Sequence, residues 1–264
     1  MEFKEVVGRR RSIRFFQSWR PVERAKIQVI LEATRWVPRA GNVDFLRGIV
    51  VERASLPRDV LDSLKTPVSA VILELAPVHI YFYGDLQALE GSRDSLLQLI
   101  EMGALPLSHG YSPKRLDEVI IPRVYRPLLE DPQALALLVA VEAGFAIQQA
   151  VLAAVDEGLG TCVAVFNVEA AKRAFGVPDH WLPLLVLLVG YPAESWEAGG
   201  QRPRPQTVED LYHEGRYSVP FRTDPAVIDY LKAAKMIQES GPLPWRKEEV
   251  RHLAVMFGLP AAQA

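Results

Sequence analysis

Apolar positions in this chain recur with two different periods. In "VERAKIQVILEATRWV" the residues Val22, Ala25, Val29, Ala33 and Trp36 fall close to one stripe at helical spacing, with Pro21 suited to a first helical position and Pro38 as a stop. A helix is therefore predicted over 22–37. Short apolar runs bounded by turn residues predict strands instead: "GIVVE", "APVHIYFYGD", the "TCVAVF" part of "GLGTCVAVF", and "LPLLVLLVGYP" closed by Gly190 and Pro192. "PRAGNVDFLR" reads as a loop, "LPRDVLDSL" as a helix, and "VEAAKRAFGVP" as a helix ended by Gly176. Between Leu86 and Pro132 the pattern is irregular, which predicts an excursion of short helices and loops. "GGQRPRPQTVEDLY" reads as extended, and a helical tail is expected after Asp224, with "PAVIDYLKAAKMI" as an amphipathic helix.

The longest apolar segment, Ala134 to Gly158, has the length of a membrane span. Glu142, Gln148 and Gln149 lie in its middle, where lipid would penalise them, so it reads as a buried central helix with Gly158 as its left-handed cap. No membrane is expected. Composition agrees with a globular chain: 264 residues, 49% hydrophobic and 23% charged. The net charge of −2 makes any basic cluster a local feature and argues against nucleic-acid binding. Glu2 and Glu5 argue against a targeting presequence, and a lone cysteine, Cys162, suits a reducing compartment, so a cytoplasmic location is expected.

Against that background "GRRRSIRFFQSW" stands out. Arg10, Ser12 and Arg14 recur at alternate positions, so an extended segment would present guanidinium, hydroxyl and guanidinium to one side, a donor set matched to phosphate oxygens. Taken alone the run reads first as a solvated charged stretch. A second pair, Arg202 and Arg204 in "QRPRP", is held extended by its prolines and alone is also a surface feature. His79 reads as a packed histidine and Cys162 as a small buried residue without an assignable base. His109, His180, His213 and His252 lack metal-ligand spacing. His109 and Tyr111 read as solvated loop residues or as the lining of a substrate pocket. Phe15 and Phe16 read as core.

In order along the chain, "RRSIRFF", a helix ending in proline, a loop with Asn42, a long helix ending "GLGTC", a strand ending "VGYP", and "RPRP" resemble the FMN-dependent nitroreductase family. The resemblance covers most of Val6 to Tyr212. It implies an α+β fold with a central, mostly antiparallel sheet flanked by helices, and an intertwined homodimer with FMN in sites built by both chains. It implies a flavin-binding domain over 1–220, with an irregular insertion at about 86–132, and a helical extension over 221–264. Carried over residue by residue, Arg10, Ser12 and Arg14 match the phosphate and ribityl ligands, Arg11 a position that contacts flavin, and Arg202 and Arg204 the pair that closes on the phosphate. Asn42 matches the loop residue near the pyrimidine end of the ring, and Cys162, Val163, Ala164 and Val165 the segment along its N5 edge.

The chain departs from the family at the ring. Arg39, Asp44 and Phe45-Leu46 stand where the family commonly has Ser, Gln and Pro-Trp, and "VAVFN" follows "GLGTC" where a Gly pair is common. The resemblance implies an FMN oxidoreductase passing hydride from NADH or NADPH to a small electron-poor acceptor such as a nitroaromatic or quinone, in a ping-pong cycle that requires no acid–base set of the protein. Two alternatives stay open: a flavin-binding protein that is non-catalytic or restricted in substrate, and an oxygen-using member that consumes its flavin, as in benzimidazole synthesis.

Overall fold

The computed structural model describes residues 1–198, 206–238 and 243–260. In chain order the elements are α1 (Phe3–Arg9), α2 (Arg24–Ala33), β1 (Leu46–Glu52), α3 (Arg58–Leu64), α4 (Ala70–Leu75), β2 (Val78–Asp85) and α5 (Ser92–Glu101). Then come the single turn α6 (Pro113–Arg115), a π-helical stretch (Leu116–Tyr125), α7 (Arg126–Glu130), α8 (Pro132–Asp156), β3 (Gly160–Ala164), α9 (Val168–Phe175), β4 (Trp181–Gly190), α10 (Val208–Leu211), α11 (Pro225–Ala233) and α12 (Arg246–Met256).

The four strands form one sheet in the order β1-β2-β4-β3, every neighbouring pair antiparallel. Ile80 of β2 faces Val50 on one side and Leu187 on the other, and Cys162 of β3 faces Leu188. Successive side chains of a strand point to opposite faces, and here both faces are covered. Tyr81, Tyr83, Val186 and Leu188 pack with Leu64 of α3, Leu73 of α4 and Ala170 and Ala171 of α9. Ile80, Phe82, Leu187 and Val189 pack with Ile27 and Ile30 of α2 and with Ala143, Ile147, Ala150 and Val151 of α8. That double cover is why β2 and the second half of β4 read as nearly unbroken apolar runs.

His79 lies in the first of these layers and is fully buried. Its Nε2 is 3.0 Å from the Leu73 carbonyl oxygen, which can only accept, so the ring proton sits on Nε2 and Nδ1 accepts from the Tyr81 hydroxyl at 3.2 Å. Burial, the largest cause, pushes its pKa down to about 4, so the folded protein binds fewer protons here than the unfolded chain between about pH 4 and 6.5. Stability therefore falls as pH drops through that window, by about 2 kcal/mol between pH 7 and 5. Urea unfolding of wild type and His79→Gln at both pH values checks this. The pH-dependent loss should be smaller in the variant by that amount.

Three elements differ from the sequence expectation. α2 is shorter than 22–37 and turns Ile27 and Ile30 inward against α8, while Val29 is exposed and Trp36 is 81% exposed. Packing against α8 selects that face over the stripe of Val22, Ala25, Val29, Ala33 and Trp36, of which Val22, outside the helix, is buried. α8 begins at Pro132, two residues ahead of the expected start, because the Asp131 carboxylate caps the amides of Gln133 and Ala134 at 3.0 and 3.1 Å. It ends as expected, ahead of Gly158 with φ of 75°. It is not buried all round. Leu137, Val141 and Phe145, spaced four apart, form an exposed apolar stripe. The helix is long and apolar enough to cross a membrane, but its other face is buried in the layer just described. Finally, the expected extended segment contains the turn α10, nucleated by a capping box of Thr207 and Asp210.

Candidate functional site

The arm from Arg10 to Trp19 lies against two different parts of the sheet. Ser12 bridges Thr161 of β3 in parallel, with the Ile13 amide donating to the Thr161 carbonyl at 2.8 Å. Farther on, Phe16 bridges Pro192, and Gln17 donates to Tyr191 through its backbone and to the Pro192 carbonyl through its side chain, both at 2.8 Å. Such pairing holds the arm extended, and its side chains alternate accordingly. Arg11, Ile13 and Phe16 are buried, while Arg10 and Ser12 are half-buried and Arg14 is exposed. The close approach explains a glycine in "GLGTC": a Cβ on Gly160 would meet Ile13 Cγ1 at 2.7 Å.

Arg11 is the outlier of the cluster. Its guanidinium donates to the Gly8 carbonyl, to the Arg10 carbonyl at 2.7 Å and to the Gln238 side chain, so it ties the arm to the C-terminal extension. Arg14 donates only to the Ser12 carbonyl at 3.2 Å, and among the described residues no carboxylate lies within ion-pair distance of it. It lines a cavity of about 500 Å³ together with Cys162, Val163, Ala164, Val165, Val68, Ile72 and Leu185. That volume suits a small-molecule or cofactor site. An apolar wall beside an uncompensated guanidinium is the donor set that a planar ring bearing a phosphate needs, so FMN fits these residues. Burial pushes the Cys162 thiol above its ordinary range, with the Arg14 charge opposing, so Cys162 serves as lining and not as a nucleophile.

Asn42 is elsewhere. It lines a second cavity of about 550 Å³ with Arg39, His109, Tyr111, Arg115 and Tyr125, so the excursion that begins at Leu86 forms the roof over the Asn42 loop. Asn42 itself has φ of 54°, a left-handed conformation asparagine tolerates. Glu142 of α8 accepts from the Ala40 amide at 3.2 Å and fixes that loop from below. Arg39, one of the departures, pairs with another, Asp44. The structure thus brings together Arg14 with Cys162, Val163, Ala164 and Val165, places Arg10 and Ser12 on the same extended arm, and keeps Asn42 in a separate cavity. Arg202 and Arg204 lie outside the described residues.

Sequence reasoning missed Glu194. It is 5% exposed and accepts from the backbone amides of Arg14 and Phe15, the latter at 3.1 Å, so it fixes the stretch of the arm on which Arg14 is carried. No motif marks it; the only available signal was an acidic residue directly after "GYPA".

The model of the Nitroreductase family matches residues 7–191, about 70% of the chain. An "FMN reductase (NADPH)" of Bacillus subtilis strain 168 is 34% identical over 95 residues, which span 35% of this chain and 36% of that protein. Among solved structures, a protein described as a nitroreductase in complex with FMN from Exiguobacterium sibiricum 255-15 has a TM-score of 0.63 at 20% identity, covering 81% of this chain and 97% of that one. A protein described as an NAD(P)H:FMN oxidoreductase from Staphylococcus epidermidis has a TM-score of 0.65 at 19% identity, covering 81% and 95%. At these identities the structural likeness shows the fold.

Proposed function

Because the chain belongs to the nitroreductase family, we propose that it is an FMN-dependent oxidoreductase that takes hydride from NADH or NADPH and delivers it to a small electron-poor acceptor such as a nitroaromatic or quinone. The observation that carries this reading is the convergence of Arg14 and the Cys162–Val165 segment on one cavity. The names of the Bacillus relative and of the FMN-bound neighbour support it.

Bound FMN supplies hydride acceptance and donation at its N5; the chain's part is to hold and orient. Arg10, Ser12 and Arg14 are assigned to the phosphate and ribityl chain, with Arg202 and Arg204 closing on the phosphate. Val163, Ala164 and Val165 would line the ring edge, where an apolar wall excludes water from the transfer. Donor and acceptor would stack in turn on one exposed face of the bound flavin, a ping-pong order.

The same reading includes a homodimer. One chain holds two partial sites, the Arg14 cavity and the Asn42 cavity, and a second copy would supply its Asn42 loop to the first. The exposed apolar stripe Leu137, Val141 and Phe145, with Trp36 beyond the end of α2, supports a self-association face. Val141→Glu is accordingly expected to halve the mass seen by analytical ultracentrifugation and to release FMN. A wild-type protein that sediments as a monomer with full FMN occupancy would remove the shared-site part of the reading.

The test of the function is optical. Purified protein given FMN should retain visible flavin absorption after desalting, and anaerobic addition of NADH or NADPH should bleach it. A protein that retains no flavin defeats the proposal; one that binds FMN without being reduced supports the substrate-restricted alternative.

A further inference from the structure

The C-terminal extension reaches the arm at three places. Arg246 of α12 donates to Glu194 Oε2 at 2.5 Å and to Glu249 Oε2 at 2.5 Å, while Glu249 Oε1 accepts from the Ser195 amide at 2.6 Å. The other oxygen of Glu194 holds the Arg14 and Phe15 amides. Just past α12, Phe257 stacks on Phe15 at 6.2 Å between ring centroids and on Trp19 at 5.9 Å. Upstream, the turn at Lys235 sits so close to α1 that a Cβ on Gly8 would lie 1.8 Å from the Lys235 carbonyl oxygen, and Gln238 accepts from Arg11. None of the extension residues falls within the part of the chain that the family model matches.

We propose that this extension is a clamp on the phosphate-binding arm, with Arg246 as a positioning residue that acts through Glu194. The inference rests on the reading of Arg10, Ser12 and Arg14 as the phosphate site. Glu194 orders the arm at Arg14, but its side chain is only 1% exposed and carries a negative charge next to the place assigned to a dianionic phosphate. A buried carboxylate left without its cation is costly and would repel the phosphate. Arg246 supplies the cation. It lets an acidic residue brace an anion site without opposing the anion. Linkage then requires the converse: bound FMN holds the extension in place more firmly.

Charge, not mere packing, is the element to test, and riboflavin provides the contrast because it has the ring and ribityl chain without the phosphate. In the full chain, Arg246→Met is expected to weaken FMN by roughly tenfold or more, the scale of a charge-assisted contact, and riboflavin by less than about twofold. Adding Glu194→Gln to Arg246→Met removes the stranded charge and should restore most of the FMN preference. Arg246→Lys keeps the charge and, should the Met variant fail to fold, carries the comparison: it should retain the preference to within about threefold. Hydrogen exchange at the Arg14 and Phe15 amides, measured without flavin, reads the clamp separately and should speed up in Arg246→Met. Equal losses for FMN and riboflavin, or unchanged exchange at those amides, overturn the clamp. A wild-type chain that binds neither flavin overturns the functional reading instead, while the exchange result still decides whether the extension braces the arm.

Discussion

Arg14→Ala should give a folded protein whose FMN dissociation constant rises roughly tenfold to a hundredfold, the loss expected for a hydrogen bond to a charged group. The fold should survive because, among the described residues, the Arg14 side chain makes one hydrogen bond, to the Ser12 carbonyl, and is otherwise exposed. The backbone around it is held independently, by Ile13 on Thr161 and by Glu194 on the Arg14 and Phe15 amides. Fluorescence titration with FMN measures the effect, and the salt dependence of binding should become shallower as a phosphate contact is lost. Unchanged affinity would show that the exposed guanidinium does not meet the phosphate.

The largest stability effect is expected at Tyr81. Its side chain is fully buried in the layer between the sheet and α3, α4 and α9, with ring centroids 5.1 Å from Phe166 and 5.0 Å from Phe175, and its hydroxyl lies against His79. Tyr81→Ala removes a large aromatic from a packed site and strands His79 Nδ1, a combined cost of roughly 3–5 kcal/mol. That is a large fraction of the ~5–15 kcal/mol that stabilises most domains. Tyr81→Phe separates the two contributions, since it keeps the packing and loses the hydroxyl, and should cost about 1–3 kcal/mol. Urea unfolding followed by circular dichroism gives both values. Near-equal losses in the two variants would mean that the hydrogen bond, not the ring, dominates.

Much of the fold was legible because it follows short periods. The four strands came from apolar runs bounded by Gly, Pro and Asp, and α9 from its terminal Gly176, observed with φ of 64°. The alternation of Arg10, Ser12 and Arg14 against Arg11 and Ile13 was legible for the same reason: an extended chain has a period of two. The inward face of α2 was not, since Val29 and Ile30 differ little in apolarity and only the position of α8 decides between them. α4 was missed because "AVILEL" is a short, mostly apolar run in which helix and strand look alike. At the site, residues within the arm and within β3 could be grouped from their spacing, but Glu194 and Arg246 are 52 positions apart and follow no period. Their relation exists only in three dimensions.

The path of the arm has a further consequence, for synthesis. Residues 10–19 are made well before their partners: Thr161 and Tyr191 come after most of the sheet, Glu194 after that, and Phe257 some 240 residues later. Pairings of such high sequence separation form slowly, and until they form the arm has no sheet edge to lie on. A nascent chain therefore carries its most basic segment uncommitted until Thr161, Tyr191 and Glu194 have been made, and the cavity beside Arg14 matures late.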